Sequence, residues 1–288
     1  MSEYVIISDS SCDLPQWKID EIDVKIVPLT VELDGKTYTN YLDWREIEPR
    51  AFFDELRAEK PSKTSAANVS DFREAMEPYL KEGKDILYIG FSSGLSGTYN
   101  AGRMAAEELM GEYPGRRVLT VDSLCASLGQ GLFVAMAAEQ RMQGKSLDEV
   151  FSFCEEKRLH MVHWFTVDDL FFLHRGGRVS KATAIVGSTL GIKPVMHVDD
   201  EGKLIKVEVA RGRKASIKKL FEHMKESYTS VDKVYICHGD CQADADMLAG
   251  LVKEQFQVNE MIINYVGPVI GSHSGPGTLA LFFEGTKR

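Results

Sequence analysis

Between Ile86 and Met110 the sequence passes from an apolar run into Ser92-Ser93-Gly94-Leu95-Ser96-Gly97-Thr98 and then into a helical pattern. A strand, a Gly/Ser-rich turn and a helix start gather unpaired backbone N–H groups and a partial positive charge in one place, which suits an anion. Ser92, Ser93, Ser96 and Thr98 add hydroxyl donors, and the glycines allow a ligand to approach the backbone. No Gly-Lys-Ser/Thr closes the turn, and it is not G-x-G-x-x-G. The cradle therefore lacks the phosphate lysine of a nucleotide site. A capped helix with ordinary turn glycines is the plainer reading of the same spacing.

A second pair of hydroxyls, Thr64-Ser65, lies in the polar stretch 60–68, and His273 lies in the Gly/Pro-rich segment 266–278. A histidine held there can donate to a carboxylate or carry a proton; a structural histidine accounts for it equally well. Asp9, Asp13 and Asp122 follow expected strand ends, where α/β sheets place ligand sites. They could hold a metal for phosphoryl chemistry. However, no Asp-x-Asp pair follows the first strand, and capping of the next turn explains each one. Cys237-His238-Gly239-Asp240-Cys241 resembles half of a zinc site, but a structural site needs a second pair and the chain has none. Arg175, Arg178 and Lys181 form one basic cluster, and Arg211, Arg213 and Lys214 another. They are either solvated surface or docking points for a phosphate or an acidic partner.

The elements that must position these residues alternate between strand and helix, which predicts α/β layers. Expected strands cover 4–8, 86–91, 118–121, 161–167, 194–198, 203–210, 233–237 and 261–266. Asp34-Gly35 between 29–33 and 36–39 predicts a hairpin. Expected helices cover 48–59, with Pro49 in its first turn, 71–81 with Ser70 as cap, 130–142, 168–174, 183–190, 215–226 and 244–256. Ser146 and Glu149 form a capping box for one more. The pattern changes near His160. This predicts an N-terminal parallel-sheet α/β domain over 1–160, with a small hairpin-helix insertion near 29–60, and a C-terminal α/β domain with a mixed sheet over 161–288.

The chain has 288 residues, 44% hydrophobic and 27% charged, an ordinary globular balance near the size at which single cores divide. Its net charge of −9 opposes general nucleic-acid binding, which needs a surplus of Lys and Arg. The opening MSEYVIISDSS lacks a basic stretch and an apolar signal core, and the apolar run 132–138 is far below the ~18 residues of a membrane span. Five scattered cysteines argue against a disulfide framework. The expectation is a cytoplasmic protein without membrane insertion.

Taken in order, these segments resemble the DegV family, bacterial fatty-acid-binding proteins that include the FakB-like subunits of fatty acid kinase. The resemblance runs over nearly the whole chain. It is carried by Asp9-Ser-Ser-Cys-Asp13, Ser92-Ser-Gly-Leu-Ser-Gly-Thr98, Asp122-Ser with Gly129-Gln-Gly131, Arg175-Gly-Gly-Arg-Val-Ser180 and Gly271-Ser-His273. Where the family often reads Thr-Ser-Gln-Pro, this chain has Thr64-Ser-Ala-Ala67, which keeps the hydroxyls and changes the turn. The resemblance implies a tunnel between two domains for one long-chain fatty acid, with no cofactor and no catalytic residue of its own. It implies that Thr64 and Ser96 hold the carboxylate, with Ser65 and Ser93 close by and His273 on the loop at the tunnel mouth. It also implies a separate ATP-dependent kinase subunit that converts the acid to an acyl phosphate, faced by Arg175 or Arg178 and by Arg211 or Arg213.

A head-group site built from neutral donors would fix a carboxylate and still leave an oxygen free to attack phosphorus, which gives a reason for a cradle without lysine. A stand-alone phosphoryl-transfer enzyme using Asp9, Asp122 and His273, and a lipid-sensing regulator, are the rival expectations.

Overall fold

The computed structural model describes residues 3–186, 191–286 and 288. The first half begins with β1 (Tyr4–Asp9), α1 (Gln16–Ile22) and β2 (Val24–Val27), then the hairpin β3 (Thr30–Leu33) and β4 (Lys36–Thr39). Asp34 and Gly35 take φ of 50° and 78°, the left-handed pair that a two-residue hairpin turn requires. Next come α2 (Pro49–Arg57), β5 (Ser62–Ser65), α3 (Val69–Lys81), β6 (Asp85–Gly90), α4 (Thr98–Glu112), β7 (Val118–Asp122), α5 (Leu128–Met142) and α6 (Leu147–Lys157). Strands β2-β1-β6-β7 form a parallel sheet in that order. Every residue of β1 and β6 is buried, as expected for strands covered on both faces.

Strand β5 lies where the sequence reads as a polar loop. It pairs antiparallel with β3, Thr64 opposite Val31, on the edge of a three-stranded sheet ordered β4-β3-β5. The cap of α3 is Asn68 rather than Ser70: its Oδ1 accepts from the N–H groups of Ser70 and Asp71, and Asp71 returns the bond to Asn68 N–H. The Ser146–Glu149 capping box forms as expected at α6.

The second half contains β8 (Met161–Thr166), α7 (Leu170–Arg175), α8 (Lys181–Val186), β9 (Ile192–Val198), β10 (Leu204–Arg211), α9 (Arg213–Ser227), β11 (Tyr228–His238), α10 (Gln242–Gln255), β12 (Glu260–Tyr265), α11 (Pro268–Ser274) and β13 (Leu279–Gly285). The expected helix 183–190 is seen as α8, and 187–190 lies outside the described residues. These strands make a mixed sheet ordered β10-β9-β8-β13-β11-β12, in which only β11 and β12 run parallel. The period-two alternation of strands divides its side chains. Val162, Trp164, Val234, Ile236, Leu279, Leu281 and Phe283 pack with residues of α9 and α10. His163, Phe165, Cys237, Ala280 and Phe282 point the other way, toward the parallel-sheet half.

Segment 268–274, expected as a loop, is a helix. Pro268 occupies the first turn, where its missing N–H costs nothing. Gly271 lets α11 lie against α2, since a methyl there would come within 3.0 Å of Phe52.

Candidate functional site

The C-terminal ends of all four parallel strands open onto one cavity of about 430 Å3, within the usual range for small-molecule sites of roughly 300–1,000 Å3. Leu29 comes from beyond β2, Ser11 from beyond β1, Phe91, Leu95, Ser96 and Gly97 from beyond β6, and Ala126 and Ser127 from beyond β7. The strand order reverses between β1 and β6, the position where open α/β sheets bind ligands. The inward face of the mixed sheet closes the other side with Phe165, Val198, Ala280 and Phe282, and α7 and α11 add Leu173, Val269 and Ile270.

Several polar groups line this wall. Thr64 Oγ1 lies 2.8 Å from His273 Nε2, joining β5 to α11 across 209 residues of sequence. Burial, with the nearby Arg178 guanidinium, pushes the His273 pKa down to about 4, so the ring is neutral at physiological pH. Its Nδ1 packs against the backbone after α7, where a methyl on Gly176 would come within 2.1 Å. Ser96 Oγ bonds Thr98 Oγ1 at 2.9 Å and accepts from Thr98 N–H, so it is fixed at the start of α4. Thr64, Ser65, Ser96, Arg178 and His273 therefore line one cavity.

Other expected residues fall elsewhere. Ser93 is exposed and is not part of the cavity wall; its N–H is held by Asp122 Oδ1 at 3.1 Å. Arg178, expected on a partner-facing surface or as solvated surface, is half-buried in the cavity wall, donating to the carbonyls of Gly176 and Leu95. The polar lining of the cavity is thus not made of neutral donors alone. Arg175 is exposed, lying over the Phe172 ring at 4.4 Å, and Arg211 is exposed on β10. Arg213 is held by Asp244 at 2.8 Å and Asp168 at 3.8 Å.

The aspartates organise loops, as their capping reading predicts. Asp9 accepts from Ser11 N–H at 3.1 Å and Phe91 N–H at 3.0 Å, and Asp122 accepts from Ser93 and Leu124. Asp13 takes the Ser127 hydroxyl at 2.5 Å, and burial pushes its carboxyl pKa up to about 7. Among the described residues no group of three or more His, Cys, Asp or Glu is placed to hold a metal, and the five cysteines are free.

Sequence reasoning missed Ser127 as a wall residue. It contacts Cys237 Sγ at 3.3 Å and adopts φ 53°, unusual for a non-glycine residue. Its sequence signal was the neighbouring Gly129-Gln-Gly131, where close packing demands glycine: a methyl on Gly131 would come within 2.6 Å of Cys12 O.

Fold and site together define an α/β protein with a parallel and a mixed sheet on either side of a mostly apolar cavity that carries a few polar side chains. The chain belongs to the DegV family, since the family described as "Uncharacterised protein, DegV family" matches residues 3–286. A DegV domain-containing protein of Clostridium perfringens is 43% identical over 290 residues, covering 100% of this chain and 99% of the relative. A solved DegV family protein from Thermus thermophilus, described by its fatty acid binding, is 32% identical with a TM-score of 0.87, covering 99% of this chain and 100% of that one. A DegV lipid-binding protein from Thermotoga maritima is 30% identical with a TM-score of 0.86, covering 99% of each chain. No helix among the described residues is long and apolar enough to cross a membrane.

Proposed function

We propose that this protein binds one long-chain fatty acid between its two halves, 1–160 and 161–288, and presents the carboxylate to an ATP-dependent kinase subunit. The observation that carries the reading is the mostly apolar cavity with the Thr64–His273 pair, Ser96 and Arg178 in its wall. The lipid-binding and fatty-acid-binding neighbours of the same fold support it. At ~0.8 kcal/mol per buried methylene, a tail of about fifteen contributes roughly 12 kcal/mol gross, much of which association costs offset. The head group needs replacement donors, because a carboxylate is expensive to remove from water. Thr64, Ser96 and neutral His273 supply them, with Ser65 at the rim. Arg178 adds charge while its donors stay engaged with two carbonyls. Exposed Arg175 and Arg211 are available to an acidic partner surface.

Solvent extraction and mass spectrometry of the purified protein test binding: one equivalent of fatty acid is expected. None, together with metal-dependent phosphate release, would favour a stand-alone phosphoryl-transfer enzyme. Acyl phosphate formed with a partner kinase and ATP separates the carrier from a lipid-sensing regulator. Ser96→Ala is expected to speed fatty-acid loss in a lipid-exchange assay while the unfolding temperature holds; unchanged retention removes Ser96 from the site.

A further inference from the structure

Arg178 carries a charge that nothing nearby neutralises. It is half-buried, its guanidinium reaches only the carbonyls of Gly176 and Leu95, and no carboxylate pairs with it among the described residues. Burial disfavours the charged form and pushes its pKa down. A desolvated cation without a counter-ion is costly unless an anion completes it. The proposed carboxylate supplies one negative charge at most.

Arg178 also borders a second, open groove of about 660 Å3. This groove shares Leu95, Arg178 and Leu204 with the fatty-acid cavity, so the two spaces adjoin along these residues. Lys203 and Lys206 of the β9–β10 hairpin line it, as do the hydroxyl residues Ser180 and Thr183. No acidic residue lines it among the described residues. Lys206 has no ion-pair partner among them, and Lys203 pairs at 2.6 Å with exposed Glu201, a surface contact weak enough to give way. Three cationic side chains around hydroxyl donors exceed what one carboxylate can use. They suit a terminal phosphoryl group, which has two charges and three acceptor oxygens.

We infer that the groove lined by Arg178, Lys203, Lys206, Ser180 and Thr183 is a phosphoryl subsite, holding the head of an acyl phosphate whose chain fills the apolar cavity. This inference rests on the fatty-acid reading and extends it from substrate to product. In the transfer, a carboxylate oxygen bonds to the terminal phosphorus of a nucleoside triphosphate. The bond from phosphorus to the nucleoside diphosphate breaks, and the diphosphate leaves with the electron pair. The single carboxylate charge becomes a dianionic head that extends past Arg178 toward the lysines. The product is then held more firmly than the acid.

The test compares palmitate with hexadecylphosphonate, a hydrolysis-stable phosphoryl head on the same kind of chain, by calorimetry on the full chain. The wild type is expected to bind the phosphonate at least as tightly as palmitate. Lys203→Ala combined with Lys206→Ala, both on a surface hairpin, is expected to weaken phosphonate binding by about tenfold or more and palmitate by less than about twofold. Equal losses for both ligands, or no loss for the phosphonate, overturn the subsite. Lysophosphatidate binding as tightly as the phosphonate would overturn the acyl phosphate assignment in favour of a phospholipid head. A wild type that binds palmitate but not the phosphonate sinks this inference alone, whereas one that binds neither sinks the fatty-acid reading with it.

Discussion

Replacing Thr64 with valine keeps the β-branched shape that suits strand β5 and deletes one hydroxyl. In the free protein that hydroxyl lies 2.8 Å from His273 Nε2. The ring is neutral, since burial and Arg178 hold its pKa to about 4, so Nε2 loses a neutral partner in the variant. The expected cost to stability is about 1 kcal/mol. In the complex the hydroxyl bonds an ionised carboxylate, and such a bond contributes about 1.5–3 kcal/mol. At about 1.4 kcal/mol per tenfold, palmitate affinity falls roughly 10- to 100-fold. The tail contribution of ~0.8 kcal/mol per methylene is untouched, so binding stays measurable. Calorimetric titration of lipid-stripped protein gives the affinity, and thermal unfolding shows that the variant folds. Thr64→Ser restores most of the affinity because it returns the hydroxyl. A folded Thr64→Val protein whose affinity changes by less than about twofold, below the smallest energy assigned to that bond, refutes the placement of the head group at Thr64.

Two further outcomes follow from the same geometry. Gly129→Ala would put a methyl within 2.1 Å of His163 Nε2, and that ring is buried and held by Met161 O at 2.8 Å and Ala126 N–H at 3.2 Å. Denaturant unfolding should show a loss of about 1–3 kcal/mol, and an unchanged midpoint would mean that the cavity wall yields freely. The depressed pKa of His273 makes the folded state bind fewer protons than the unfolded chain between pH 6.5 and about 4. Its stabilising contribution is present above pH 6.5 and lost as pH falls through that window, by about 3 kcal/mol in total. Asp13, with its pKa raised to about 7, acts in the opposite sense, so the wild type is compared with His273→Gln to isolate the ring. Parallel stability curves for the two proteins would contradict the burial assigned to His273.

Local chemistry made much of the fold legible. Asp34-Gly35 requires left-handed backbone and produced the hairpin, Ser146 and Glu149 produced their capping box, and the apolar run 130–142 became α5, buried along ten of its fifteen residues. Strand β5 was not legible, because Ser62-Lys-Thr-Ser65 is polar and is extended only through its pairing with β3. Nor was α11, whose glycines and proline read as loop until Gly271 is seen packed on Phe52 and Phe53.

For the site, residue type marked Thr64, Ser96 and His273 only as candidates beside plainer structural readings, and the resemblance to the DegV family is what set them apart. The tertiary structure alone decided that Thr64 and His273 touch, that Ser93 turns outward, and that Arg178 leaves the surface to join the cavity. Those outcomes depend on how β5, α7 and α11 converge from distant parts of the chain. Side-chain type and spacing report the local backbone, whereas convergence is set by the packing of two sheets against each other, which no single segment encodes.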